Sequence, residues 1–201
     1  MTRAPAGVGC IVLAAGSATR FGSDKRLAEF AGDTLLARTL ATLNSVFTQR
    51  VLVLRADDAT DETLARRFGK DWLVVRATDA GKGMGNSLAA AMACTADWNG
   101  AVVALADMPF VRPVTCATIA ARLTADTLVV PFHRGQRGNP VGIGSRYFSE
   151  LATLRGDRGA RELFERHAAA LVKLDVDDPG ILRDIDTPAA LRAPDAGESA
   201  S

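Results

Sequence analysis

Apolar runs and stretches of helical spacing take turns along the first two-thirds of the chain. Five short runs are apolar almost throughout: VGCIVLAA (8–15), RVLVLR (50–55), WLVVRA (72–77), AVVALA (101–106) and TLVVPF (127–132). A strand with one wet face alternates apolar and polar side chains. Unbroken runs of this length instead predict strands covered on both faces, as in parallel sheets. Between them the period changes. Leu35, Leu36, Thr39, Leu40 and Leu43 fall on one helix face, with Asp33 the expected N-cap. Leu64 and Phe68 pair at i, i+4 on a second helix that Gly69 should end. MGNSLAAAMACTA (84–96) is alanine-rich and predicts a third, and Pro113 suits the first turn of a fourth.

This alternation predicts an α/β fold, a mostly parallel sheet with helices on both faces. Beyond residue 131 the pattern loosens. HRGQRGNPVGIG predicts loop with a short strand, DRGARELFERHAA a helix and ALVKLDV another strand. Residues 1–6 and 193–201 show no periodicity and are expected as disordered tails of one domain spanning 1–201.

Composition removes several classes of function. Lys and Arg number 24 against 23 Asp and Glu, a net charge of +1. The cations are scattered, with one tyrosine and two tryptophans to stack on bases, so no nucleic-acid partner is expected. No run approaches the ~18 apolar residues of a membrane span, and MTRAPAG lacks a signal-peptide core, so no membrane association is expected. Cys10, Cys94 and Cys116 are far apart without a CxxC pair, which predicts a reducing, cytoplasmic setting. Cys10 and Cys116 read as small buried hydrophobes. His133 and His167 have no zinc-site spacing, and a surface or acceptor-side position is expected for both.

Ligands of open α/β sheets gather outside the carboxyl ends of the strands. Four polar clusters fall there. In VLAAGSATRFGSDKRL (12–27), Gly16 allows close backbone approach and the following amides can form an anion-binding concavity. Arg20 and Lys25 add positive charge for phosphates. A solvated loop with ordinary cations is the alternative. The loop is not GxGxxG, and no GxxxxGK[ST] occurs in the chain. In ALADMPF (104–110), Asp107 sits at a strand tip, where it either caps a turn or holds a hard divalent cation against phosphates. In RDIDTPAAL (183–191), Asp184 and Asp186 point to opposite sides of an extended segment, so one of them can face a metal. Asp186–Thr187–Pro188 also reads as a helix start. In AGKGMGNSLAAA (80–91), glycines lead into a helix whose amides, with Asn86 or Ser87, can meet a base or phosphate. A plain loop is the alternative there too.

Together these segments resemble the MobA-like nucleotidyltransferases, in particular their molybdenum-cofactor cytidylyltransferase branch. LAAGSATRFGSDK is similar to the family's LAAGxSxRxGxxK signature, LADMPF to its metal-binding DMP motif, and PFHRGQRGNPVGI to its PxxxGxxGHPxxF stretch. GDRGAR (156–161) resembles GDxGAR, and DIDTPAAL the closing DIDTPxDL. The resemblance runs from Cys10 to Leu191. It implies a three-layer α/β/α, Rossmann-like fold of the glycosyltransferase-A type, with a mostly parallel mixed sheet of about seven strands.

The implied reaction is CMP transfer from CTP to a molybdopterin-type acceptor, with Mg²⁺ required and pyrophosphate released. Its product matures a molybdenum oxidoreductase, the implied client. The alternatives are guanylyl or other nucleotidyl transfer to molybdopterin, a sugar phosphate or another phosphorylated metabolite, or a chaperone that delivers molybdenum cofactor. Carried over by position, the backbone of Leu13, Ala14, Ala15 and Gly16 holds the base, completed by Gly83, Met84, Asn86 and Ser87. Arg20 and Lys25 bind the triphosphate. Asp107 binds the metal with Asp184, Asp186 being the alternative. Asn139, Pro140, Asp157, Arg158 and Arg161 face the acceptor. CTP rather than GTP rests on LAAG, where the guanylyl branch shows LAGG, and on GMGNSL. Two departures stand out: Asn139 replaces the family's His, and Ala189–Ala190 lack the acidic residue after the proline. Asparagine can hydrogen-bond to an acceptor but cannot carry charge.

Overall fold

The computed structural model describes residues 3–16, 24–56, 59–156 and 161–185. Strand β1 (Val8–Leu13) is followed by a small hairpin, β2 (Glu29–Phe30) and β3 (Asp33–Thr34), then α1 (Leu35–Asn44), β4 (Arg50–Arg55), α2 (Ala59–Phe68) and β5 (Leu73–Ala77). Next come α3 (Met84–Met92), β6 (Gly100–Leu105), α4 (Pro113–Arg122), β7 (Leu128–His133), β8 (Gln136–Arg137) and β9 (Val141–Gly144). Helices α5 (Phe148–Ala152) and α6 (Arg161–Arg166) lead to β10 (Leu171–Asp175). The main sheet runs β10-β7-β9-β6-β1-β4-β5, with β8 paired to β7. β9 is antiparallel to β6 and β7, while β1, β4, β5, β6, β7 and β10 share one direction. This is the mostly parallel mixed sheet that the alternation predicts.

The two-residue period of the strands divides the core. Cys10 and Val12 of β1 pack with Leu36 and Leu40 of α1, Leu64 of α2 and Ile119 of α4 on one face. Ile11 and Leu13 pack with Leu88 of α3, Leu151 of α5 and Phe164 of α6 on the other. From β1 the chain winds outward to β4 and β5, and α3 carries it back to β6 on the far side of β1. The connections leaving β1 and β6 therefore diverge. At such a switch point the carboxyl ends of the strands open a crevice.

Three expectations are corrected. The N-cap of α1 is Thr34, which accepts from the Ala37 N–H at 3.3 Å. Asp33 lies in β3, and its carboxylate takes the Thr34 N–H at 2.7 Å, because the hairpin reaches further than the helical pattern suggests. The WLVVRA run is not covered throughout, for β5 is an edge strand and its Leu73 is 55% exposed. The short strand expected within HRGQRGNPVGIG is β9, and it lies inside the sheet. Its glycines are required: a Cβ at Gly144 would lie 2.3 Å from the Ala125 carbonyl oxygen. His133 is buried, with Nδ1 3.0 Å from the Val176 carbonyl oxygen, whereas His167 is part-exposed with Nε2 2.7 Å from Glu150.

Of the expected N-terminal tail, residues 3–6 are described, and the Ala4 N–H donates to the Val46 carbonyl at 2.9 Å. The tail at 193–201 lies outside the described residues. Among the described residues no helix is long and apolar enough to cross a membrane.

Candidate active site

The crevice at the switch point is a cleft of about 420 Å³. Leu13, Ala14, Ala15 and Gly16 form one wall, Leu105, Ala106 and Asp107 the floor, and Gly83, Met84 and Ser87 the opposite wall. The Ala14 N–H donates to Val53 and the Ala106 N–H to Leu13, so both exit loops keep the sheet's pairing beyond the strands. Small side chains keep the space clear; a Cβ at Gly16 would meet nothing within 4 Å. Gly83, at φ 121° and ψ 166°, turns the chain into α3 with a backbone that an L side chain resists.

Lys25 crosses this cleft. A 3-10 turn over Lys25–Leu27 is capped by Asp24, whose carboxylate accepts from the Arg26 N–H at 3.0 Å. From that turn the Lys25 Nζ donates to Asp107 Oδ2 at 2.5 Å. The side chains are only 19% and 15% exposed, so the pair is largely withdrawn from water. Asp107 Oδ1 is buried and accepts no hydrogen bond. The Ile185 N–H donates to the Asp107 carbonyl at 3.1 Å, which lays residues 183–185 beside it and brings the exposed Asp184 to the same end of the sheet. Among the described residues no group of three or more His, Cys, Asp and Glu forms a ready metal cage. A carboxylate with an uncommitted buried oxygen suits Mg²⁺-type cations instead, which take one or two carboxylates and complete their shell with phosphate and water.

Asn86 lies apart from this cleft. Its Oδ1 accepts from the Gly156 N–H at 2.9 Å, and the Gly85 N–H donates to the Gly156 carbonyl at 2.8 Å. The pair ties the start of α3 to the segment before α6. Arg20, Asp157, Arg158 and Asp186 lie outside the described residues.

A second cleft, of about 520 Å³, adjoins the first through shared walls at Leu13, Met84 and Leu105. Arg137, Asn139, Arg161 and Phe164 line it. Asn139 is held by its N–H, which donates to the Ile181 carbonyl at 2.9 Å, and precedes a cis peptide to Pro140. Pro140 lines a small void beside Thr39 and Cys116 instead.

Three arginines of these clefts escape a reading of the sequence. Arg26 is 4% exposed. Its Nη1 donates to the Ala14 carbonyl at 2.5 Å, and its Nη2 pairs with Asp24 at 2.6 Å and Asp61 at 2.5 Å. Asp61 is fully buried and also accepts the Arg55 N–H, while Arg55 lines the first cleft. Burial pushes the Asp24 carboxyl up, but the hydrogen bonds and charge of Arg26, with Arg55 behind, hold it below its ordinary value. Burial likewise works against the Arg26 cation, and its two carboxylates more than offset this, raising its pKa. In the sequence Arg26 reads as another loop cation and Asp61 as an exposed residue of a helical first turn. Arg137 lies 4.6 Å from the centroid of the Phe164 ring. Burial, followed by the charge of Arg161, pulls its pKa down. Its only signal is the neighbouring Gly138, where a Cβ would lie 2.5 Å from the Ile181 carbonyl oxygen.

Residues 10–171 match the sequence model of the MobA-like NTP transferase domain. The chain belongs to that family. A search of the curated proteins finds no match. Among solved structures, the homologue of Rv0371c from Mycobacterium sp. strain JC1 is 31% identical, with TM-score 0.80 over 91% of this chain and 92% of that one. Rv0371c from Mycobacterium tuberculosis H37Rv is 30% identical, with TM-score 0.77 over 92% and 95%. Its complex with manganese is 28% identical, with TM-score 0.69 over 84% and 88%. Molybdopterin-guanine dinucleotide biosynthesis protein A from Archaeoglobus fulgidus, 21% identical, shares the fold at TM-score 0.67 over 91% and 94%. This MobA-like chain is thus a nucleotidyltransferase with the mixed sheet described above.

Proposed function

We propose that this MobA-like protein transfers CMP from CTP to a molybdopterin-type acceptor. The observation that carries the reading is the meeting of Lys25 and Asp107 beside the Ala14–Ala15–Gly16 turn, with the arginine-lined cleft opening next to it. A terminal phosphate oxygen of the acceptor attacks the α-phosphorus in line. The new O–P bond forms as the bond to pyrophosphate breaks, and pyrophosphate leaves with the electron pair. An ionised phosphate needs no strong base, so the protein's share is positioning and charge stabilisation.

The backbone of Leu13–Gly16, with Gly83, Met84 and Ser87, receives the base. Lys25 and Arg20 meet the triphosphate and steady the charge that builds on pyrophosphate. Arg137, Asn139 and Arg161 receive the anionic acceptor, joined by Asp157 and Arg158. Asp107, with Asp184 or Asp186, would hold Mg²⁺, which neutralises charge between the attacked phosphate and the leaving group. The buried, uncommitted Asp107 Oδ1 and the manganese complex of Rv0371c support that assignment. CTP is favoured because Ala15 stands where the guanylyl branch has glycine.

The test incubates the protein with molybdopterin, Mg²⁺ and each of CTP, GTP and ATP, and identifies the product. The expected result is a cytosine dinucleotide with pyrophosphate released. A guanine dinucleotide would replace the base assignment, and no pyrophosphate with any nucleotide would refute the acceptor.

A further inference from the structure

A separate cleft lies at the other end of the sheet. It opens at the amino ends of β4 and β5, between Arg50, Trp72, Trp98 and Lys70, with a volume of about 510 Å³. Small-molecule sites span about 300–1,000 Å³. Two of its donors have no acceptor. Trp72 is 2% exposed, and its Nε1 is buried without a hydrogen bond; the Arg50 Nε is buried and unbonded as well. Leaving such a donor unmatched costs stability, so folded chains rarely tolerate two together without a use for them.

The Arg50 guanidinium stands over the Trp72 ring, 5.9 Å from its centroid, and makes no ion pair among the described residues. Lys70 adds a second cation at the rim, against one exposed carboxylate, Asp71. Thr48 and Gln49 add polar groups, and Val51, Ala65, Leu73, Val74 and Trp98 supply an apolar wall. Trp98 is fixed flat beneath β1, since a Cβ at Gly9 would lie 2.4 Å from its ring, and Leu73 stands 55% exposed at the sheet edge.

We propose that this cleft is a second ligand site for a small organic anion. Its phosphate or carboxylate group pairs with the Arg50 guanidinium over the Trp72 ring and with Lys70 at the rim, and its apolar or planar body lies against Trp98 and Leu73. Donors without acceptors select an anion, and the apolar walls select one with an organic body over a bare ion.

The chain's two tryptophans both line this cleft, so their indole N–H signals report on it. The full-length, ¹⁵N-labelled protein is titrated with phenyl phosphate, benzoate and inorganic phosphate. The Trp72 signal, assigned by Trp72→Phe, should shift saturably with phenyl phosphate or benzoate, the tighter of the two naming the anionic group. Inorganic phosphate should bind at least tenfold more weakly. Arg50→Gln should weaken the organic probes by about tenfold or more, the scale of a lost hydrogen bond to a charged group. Lys25→Ala, in the other cleft, should leave the titration unchanged. The proposal is overturned if the Trp72 signal does not saturate with either organic probe, a result that needs no variant. It is also overturned by unchanged affinity in a folded Arg50→Gln protein, by inorganic phosphate binding equally well, or by loss of the response in Lys25→Ala.

Discussion

Arg26 stands next to Lys25 in the chain, yet the two side chains do opposite things. Lys25 reaches into the cleft, whereas Arg26 turns beneath it and fixes the Ala14 carbonyl. Removing Arg26 leaves Asp61 buried and without that partner. Arg26→Ala should therefore destabilise the fold by about 3–5 kcal/mol, read from urea unfolding, because the surviving charge loses its counter-ion in a desolvated place. Lys25→Ala should cost less stability than Arg26→Ala, because the Lys25–Asp107 pair is less deeply buried, and lower turnover by roughly 10²-fold, the scale for one lost preorganised donor, as followed by pyrophosphate release. Asp24 adds a pH dependence. Its carboxyl lies below its ordinary value when folded, so its contribution is complete above the unfolded pKa of about 4 and is lost as pH falls through the folded value. Asp24→Asn should flatten that acid limb of the stability profile. Of these residues the sequence makes Lys25 and Asp107 conspicuous by their place after strands. It says nothing of Arg26 and Asp61, because a buried ion pair between distant residues leaves no local pattern.

At the level of single elements, the helix most readily seen in the sequence, α3, has a hidden duty at its first turn. Alanines 89–91 predict the helix, while Gly85 and Asn86 look like flexible lead-in to a ligand. In the structure they dock on Gly156, and a Cβ at Gly85 would press to 2.9 Å from the Gly156 carbonyl oxygen. Asn86→Ala should cost about 1–3 kcal/mol in unfolding experiments by stranding the Gly156 N–H. Because the same turn carries Met84 and Ser87, it should also raise KM for the nucleotide more than it lowers kcat. β9 teaches the converse. Glycines that argue against a strand are what allow one to pass under α4, so close packing, invisible to propensity, decides the element.

Across the whole molecule, the alternation of runs and periods was sufficient for a mostly parallel sheet, and the polar clusters after β1 and β6 for the end at which the first cleft opens. The order of strands was not legible, since the reversal at β9 depends on contacts between residues far apart in the chain. The two-faced core also predicts chemistry. Burial pushes the Cys116 thiol up to about 12 and raises that of Cys10 well above its ordinary value, while Cys94 is part-exposed. A thiol reagent at pH 8 should modify Cys94 alone in the folded protein, and all three cysteines after unfolding.

The contact between Lys25 and Asp107 carries one more consequence. Lys25 holds Asp107 through Oδ2 alone, so neither side chain is fully available to a visitor although Oδ1 is uncommitted. A triphosphate that draws the ammonium away releases the carboxylate, and a cation that takes the carboxylate releases the ammonium. The pair works as an interlock: admitting either guest lowers the cost of admitting the other. Calorimetry should then show CTP and a divalent cation each binding several-fold more tightly in the other's presence. Lys25→Ala should weaken the interlock, so that nucleotide tightens cation binding by less than it does in the unaltered protein.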